Sequence, residues 1–175
     1  MDRLRVAAVL VVLLSVGVAG CSGVVPSEDE SSAGDSDITA PAEGTLEVHY
    51  ISVGQAASTL VVSPEGETML IDTGDFRTDG EEVLDYLDAQ GIDRIDYLVT
   101  SHPDADHIGG HANVITHYET QKDGIGAIYD PGISSTTQTY SNYLDAVEEH
   151  NVTLYESYAG DEIPLAGATA TVLGP

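Results

Sequence analysis

The chain has 175 residues, five Lys and Arg against thirty Asp and Glu, and a formal net charge of −25. That length suits one modest domain, and a hydrophobic share of 42% excludes a wholly disordered acidic chain, which could not bury enough apolar surface. A single cysteine excludes an internal disulfide framework and any Cys-rich zinc module. No second long apolar run follows residue 20, which excludes a multi-span membrane protein, and the scarcity of Lys and Arg argues against an ordinary electrostatic nucleic-acid binder.

Residues 1–20 open with Arg3 and Arg5 and then run apolar from Val6 to Val18. A positive start and about a dozen apolar residues read as a signal peptide, too short for a comfortable membrane span. Val18-Ala19-Gly20 places small residues directly before Cys21. This resembles the lipobox of exported lipoproteins, in which the cysteine is lipidated and becomes the first residue. An ordinary signal peptide with an incidental cysteine is the alternative, but a free thiol is out of place in an exported chain. The expected product is held on the outer face of the cell membrane by a lipid on Cys21. Residues 21–44, rich in Ser, Pro, Glu and Asp, read as a solvated tether. After processing, Arg77, Arg94 and Lys122 would be the only basic residues against 29 acidic ones. Such one-sided acidity resembles the proteins of extreme halophiles; in about 1 M salt the Debye length is roughly 3 Å and repulsion between spread charges is largely screened.

From residue 45 a folded domain is expected to run to Pro175. Leu46, Val48 and Tyr50 alternate with more polar neighbours, and Thr59 to Val62 and Thr68 to Ile71 are β-rich runs separated by the turn signal Ser63-Pro64-Glu65-Gly66. This predicts a meander of three antiparallel strands. Thr78-Asp79-Gly80-Glu81 has the spacing of a capping box ahead of Val83, Leu84 and Leu87, with Gly91 placed to end that helix. Ile95 to Thr100 reads as a buried strand, followed by a loop and a helix from about Ile108 to His117. Ala127 to Tyr129 predicts another strand, and Tyr140, Tyr143, Leu144 and Val147 a further amphipathic helix. Val152 to Tyr155 and Ala168 to Leu173 predict short final strands. Hairpins followed by strand–helix alternation give an α/β fold with a mixed sheet and helices on one face.

Within six residues, His102, Asp104, Asp106 and His107 place two imidazoles and two carboxylates on the loop after the buried strand. These are ligands suited to Zn, Mn or Fe. A spacing of two lets His102 and Asp104 point the same way from an extended stretch, while Asp106 and His107 sit where the chain turns and can face a second ion. Pro103 stiffens the loop, and Gly109-Gly110 allows close backbone approach. Two ions about 3.5–4 Å apart could activate a shared hydroxide for attack. The competing reading is an acidic surface loop carrying two titratable histidines.

Ser101-His102-Pro103-Asp104-Ala105-Asp106-His107-Ile108-Gly109-Gly110 resembles the His-x-His-x-Asp-His metal signature of the metallo-β-lactamase superfamily. Asp in place of the second His is typical of the branch resembling the extracellular domain of the DNA-uptake competence protein ComEC. Val48-His49-Tyr50-Ile51-Ser52-Val53-Gly54-Gln55 resembles that branch's first strand, and Leu70-Ile71-Asp72-Thr73-Gly74 the superfamily's Ile-Asp-Thr-Gly turn. The resemblance implies an αββα sandwich, of which this chain carries the N-terminal βα half. It implies two divalent ions, zinc first, with manganese or iron as alternatives: His102 and Asp104 on one, Asp106 and His107 on the other. Asp106 would also orient the attacking water, and Asp72 would buttress the metal loop from beneath.

The chain departs from that branch at Ser52, Ala56 and Ala57, which stand in place of its Asp, Gly and Asp. The ligands that the superfamily's second half supplies, two His and a bridging Asp, have no counterpart in sequence, and truncation of a longer protein is the favoured explanation over a decayed remnant. His49, His111, His117 and His150 read as surface or packing residues, with His111, four residues beyond His107, the best outside candidate. Asn151-Val152-Thr153 is a possible glycosylation sequon. The functional expectation is a surface-anchored metal-dependent hydrolase whose activated hydroxide attacks a phosphodiester, of a small molecule or a nucleic acid, or a related ester. The alternative is a non-catalytic lipoprotein that keeps the fold for binding. Lactamase, glyoxalase or thiolesterase chemistry is disfavoured by Asp104, because those branches carry His there.

Overall fold

The structure, a computed structural model, describes residues 44–174; the expected signal peptide, the lipidation expected at Cys21 and the expected tether through residue 43 lie outside them. Eight strands and three helices follow in the order β1 (Glu47–Tyr50), β2 (Thr59–Val62), β3 (Thr68–Ile71), α1 (Glu81–Gln90), β4 (Ile95–Val99), α2 (His111–Gln121), β5 (Ile125–Asp130), α3 (Gln138–His150), β6 (Leu154–Glu156), β7 (Glu162–Ile163) and β8 (Ala170–Thr171). Among the described residues, no helix is long and apolar enough to cross a membrane.

β1 to β6 form one sheet in sequence order. The first three strands pair antiparallel, as the short turn signals require, and β3 to β6 pair parallel through the helical crossovers. Register aligns His49, Leu60, Leu70, Leu98, Ile128 and Leu154 across one face. The core lies there: Leu60, Leu70, Leu98 and Ile128 are fully buried against Val83 and Leu87 of α1, Val114, Ile115 and Tyr118 of α2, and Tyr143 of α3. All three helices therefore cover the same side, as the alternation of strands and helices predicts. On the opposite face Val61, Met69, Tyr97 and Tyr129 meet Ile163 and Leu165 from the β7–β8 segment. That segment is pinned by Tyr97 Oη donating to the Pro164 carbonyl at 2.8 Å and by the Ala166 amide donating to Glu67 Oε2 at 2.7 Å.

Three local expectations are corrected. The capping box does not form: Thr78 Oγ1 donates to the Asp75 carbonyl, and Gly80, with φ 77°, caps α1 without a side-chain bond. α2 begins at His111 rather than Ile108, because Gly109 and Gly110 are taken up by backbone packing against the turn after β3. The expected strand over residues 168–173 shrinks to Ala170–Thr171 in a separate two-stranded sheet. Gly91 and Asn151 do end α1 and α3 in the left-handed conformation that frees the cap amides to bond the last turn.

Leu98 sits mid-sheet with no exposed surface. Leu98→Ala should lower unfolding free energy by about 2–5 kcal/mol, read as a fall in urea midpoint without a change in slope.

Candidate metal centre

Parallel strands bring their carboxyl ends to one edge, and the loops that leave β3 and β4 meet there. The β4 strand ends at Val99, and Thr100 continues the pairing by donating its amide to the Tyr129 carbonyl at 2.8 Å. The chain then enters Ser101 to Gly110. This loop is stitched to the turn after β3 by backbone bonds: Thr73 amide to His107 carbonyl at 2.7 Å, Gly109 amide to Gly74 carbonyl at 2.9 Å, and Phe76 amide to Ala105 carbonyl at 3.2 Å. The loop between β1 and β2 joins it where the Ala57 amide donates to the Asp106 carbonyl at 3.2 Å. Ala57 takes part through its main chain alone, so the loss of a carboxylate at this position leaves the stitching intact. A Cβ on Gly109 would overlap the Asp75–Phe76 backbone, which is why the position needs glycine.

Asp72 is the hinge of this arrangement. It adopts φ 58°, a left-handed conformation that Asp tolerates better than most residues, and its side chain is almost wholly buried. The Ser101 amide donates to its Oδ1 at 2.9 Å, and the Ser101 hydroxyl donates to its Oδ2 at 2.6 Å. His107 Nδ1–H donates to the same Oδ2 at 2.7 Å. Because the Ser101 hydrogen is committed to Asp72, Ser101 Oγ is an acceptor toward His102 Nδ1 at 3.0 Å. Both imidazoles thus hold their hydrogen on Nδ1 and leave Nε2 to act as a ligand or acceptor. The hydrogen bond with Asp72 raises the His107 pKa, partly opposed by burial.

The four residues singled out in sequence stand together. The His102 and His107 rings pack against each other with centroids 3.8 Å apart and planes tilted by 51°. His102 Nε2 lies 3.5 Å from Asp104 Oδ2, and His107 Nε2 lies 3.9 Å from Asp106 Oδ2. A tetrahedral ion with bonds of about 2.0–2.2 Å spans donors roughly 3.4 Å apart. Each His–Asp pair therefore fits as a two-donor half-site, the first with a closer bite than the second. Among the described residues, no three His, Cys, Asp or Glu side chains converge tightly enough to enclose an ion by themselves.

His111 does not extend this set. It follows the loop rather than sharing a helical face with His107, and it is completely buried. Its Nδ1 is bonded to Thr73 Oγ1 at 2.7 Å and its Nε2 to Thr100 Oγ1 at 2.9 Å, with the Tyr143 ring edge-on at 4.9 Å. It ties the two strand ends together. His49 is held by Tyr86 at 2.7 Å and Glu47 at 3.1 Å, while His117 and His150 lie on α2 and α3.

Sequence reasoning gave no role to Ser101 or Asp130. Ser101 could have been found from its place directly before the first histidine, at the end of a buried strand. Asp130 ends β5, buried, taking bonds from the Gly132 amide at 2.8 Å and Tyr143 Oη at 3.2 Å; burial raises its pKa. Nothing in its Tyr-Asp-Pro-Gly context marks it as buried.

An α/β layer that presents a His–Asp loop at the carboxyl edge of its sheet defines a metallohydrolase-type scaffold. Residues 51–171 match the metallo-beta-lactamase superfamily, and the chain belongs to that family. It is 29% identical over 145 residues to ComE operon protein 3 of Bacillus subtilis, a match covering 74% of this chain and 18% of that protein. It is 37% identical over 78 residues to Recombination protein 2 of Haemophilus influenzae, covering 42% of this chain and 10% of that protein. These relatives support the competence-protein branch, and the chain matches less than a fifth of the length of each. Among solved structures, a metallo-beta-lactamase with a HARLDQ motif from Cronobacter sakazakii aligns with TM-score 0.45 and 22% identity, over 70% of this chain and 47% of that one.

Burial lowers the His111 pKa from 6.5 to about 4. The unfolded chain therefore binds this proton more readily than the native one between those values, so stability is full above pH 6.5 and falls as pH drops toward 4. The loss should be about 3 kcal/mol, seen as a falling urea midpoint, and His111→Gln should flatten that slope. Asp72→Asn keeps a side chain that tolerates the left-handed turn but turns an acceptor into a donor. It should destabilise by about 1–3 kcal/mol and lower the His107 pKa, read from imidazole NMR titration.

Proposed function

We propose that the protein is a metal-dependent hydrolase of phosphodiesters or related esters, exported and anchored to the outer face of the membrane through lipid on Cys21. The observation that carries the hydrolytic reading is the pair of imidazoles whose Nδ1 atoms are fixed by Ser101 and Asp72, each with its Nε2 facing a loop carboxylate. Divalent ions, zinc first, bound there supply Lewis-acid charge and lower the pKa of water at neutral pH. His102 and Asp104 would hold one ion, and His107 and Asp106 the other. Asp106, exposed at the loop tip, would also orient the attacking water and accept its proton. Asp72 and Ser101 would keep the imidazole tautomers suited to ligation without touching substrate. Asp at position 104, where the resemblance places His in the lactamase and thiolesterase branches, supports a phosphodiester over a lactam or thioester.

A second reading, a non-catalytic member that binds without turnover, is favoured by the pairing of donors in twos rather than threes among the described residues. The two readings part in one assay. Full-length protein in high salt, supplied with zinc or manganese, should hydrolyse a bis(p-nitrophenyl) phosphodiester. EDTA should abolish this activity, and His102→Ala and Asp106→Asn should each reduce it by about 100-fold or more. Absence of metal-dependent hydrolysis in the wild type would leave the binding reading standing.

A further inference from the structure

The three described cations are not evenly spread. Arg94 precedes β4 and is paired with Asp96 at 2.9 Å, and Lys122 follows α2 and is paired with Asp88 at 2.8 Å and Asp93 at 3.0 Å. Both lie at the end where β4 and β5 begin. Arg77 alone follows the carboxyl end of β3, beside the metal loop. It is 71% exposed, and it stands over the ring of Phe76, the only phenylalanine in the chain, with its guanidinium carbon 4.8 Å from the ring centroid. Asp75 holds it there by accepting from the Arg77 amide at 2.8 Å and from Nη1 at 2.6 Å. This contact leaves most of the five donors of the guanidinium fork facing solvent.

Phe76 is 46% exposed, one of several large apolar side chains left open to solvent, and the one that lies beside the candidate metal loop. Its backbone is bonded to Ala105 and packed on Gly109, inside the metal loop. Next to it opens a cavity of about 230 Å³ whose lining includes Asn113 and Asn142. Phe76 lines this cavity together with the Asp79 carboxylate and the two amides, while Arg77 stands against the ring outside the lining; the ring and its adjacent cation match a ligand that is flat at one end and anionic at the other.

We propose that Phe76 and Arg77 form a specificity subsite for a phosphoester bearing a planar aromatic group, the ring stacking on Phe76 and the anionic oxygens meeting Arg77. This rests on the hydrolase reading for where the reacting ester lies. Aryl phosphates and nucleotides share this chemistry, because stacking on an aromatic side chain is tolerant of ring identity.

The test is binding by the full-length chain in EDTA, followed by calorimetry or NMR, with adenosine monophosphate, phenyl phosphate, ribose 5-phosphate and adenosine as probes. Adenosine monophosphate should bind about tenfold more tightly than ribose 5-phosphate. Phe76→Ala and Phe76→Leu should erase that difference, Leu showing that the flat ring rather than apolar volume matters. Arg77→Gln should bring adenosine monophosphate to the level of adenosine and remove the salt dependence. Phenyl phosphate matching adenosine monophosphate would identify aryl esters as sufficient; preference for the nucleotide would identify the heteroaromatic base. Equal binding of ribose 5-phosphate and adenosine monophosphate in the wild type, or an unchanged difference in Phe76→Ala, overturns the proposal. Because metal is withheld, its failure is distinct from failure of the hydrolase reading, which the metal-dependent assay alone decides.

Discussion

The buried carboxylate of Asp72 takes three hydrogen bonds at the point where β3 and β4 release their chains, from the Ser101 amide, the Ser101 hydroxyl and His107 Nδ1. A carboxylate shielded from water costs several kcal/mol unless its lone pairs are met, and here the donors that meet it are those of the candidate metal loop. The fold therefore cannot satisfy Asp72 without also placing Ser101 and His107. Ser101, once committed to Asp72, can only accept from His102. One buried charge thus sets the orientation of both imidazoles, and the left-handed backbone at φ 58° is what turns that charge under the loop rather than along the strand.

Beneath this lies a second, uncharged brace. His111 spans Thr73, two residues beyond β3, and Thr100, directly beyond β4, and burial favours its neutral form. A neutral imbedded imidazole offers one donor and one acceptor, which suits two hydroxyls that can each play either part. The sheet edge is consequently cross-tied twice by buried groups, by Asp72 under the candidate metal loop and by His111 between the strand ends.

The strands and helices were legible because their signals are local. Period-two alternation marks β1, β-rich runs around the turn signal at 63–66 mark β2 and β3, and the run Ile95 to Thr100 marks β4. The grouping of His102, Asp104, Asp106 and His107 in the candidate loop was legible for the same reason, since the four side chains lie within six residues. What sequence spacing misjudged depended on partners far along the chain. Thr78 bonds backward to Asp75 instead of capping α1, because the left-handed pair Asp79 and Gly80 redirects the chain before the helix. The i+4 relation between His107 and His111 supposed a helix through Gly109 and Gly110, where the backbone is instead pressed against residues 73–80. Asp130 and Ser101 acquire their meaning from Tyr143 and Asp72, contacts that no local pattern announces.

The contact between Gly109 and the Asp75–Phe76 backbone leaves no clearance for a side chain, and main-chain bonds from Thr73, Gly74 and Phe76 close the same seam. The rim that carries Phe76 and Arg77 and the loop that carries His102 to His107 are therefore one mechanical body. A ligand that displaces the aromatic rim must shift the imidazoles with it, and an event that tightens the imidazoles must draw in the rim. Recognition at the edge and geometry at the centre cannot vary independently in this molecule. Selection acting on either would be felt as a constraint on the other, transmitted through a glycine with no side chain of its own.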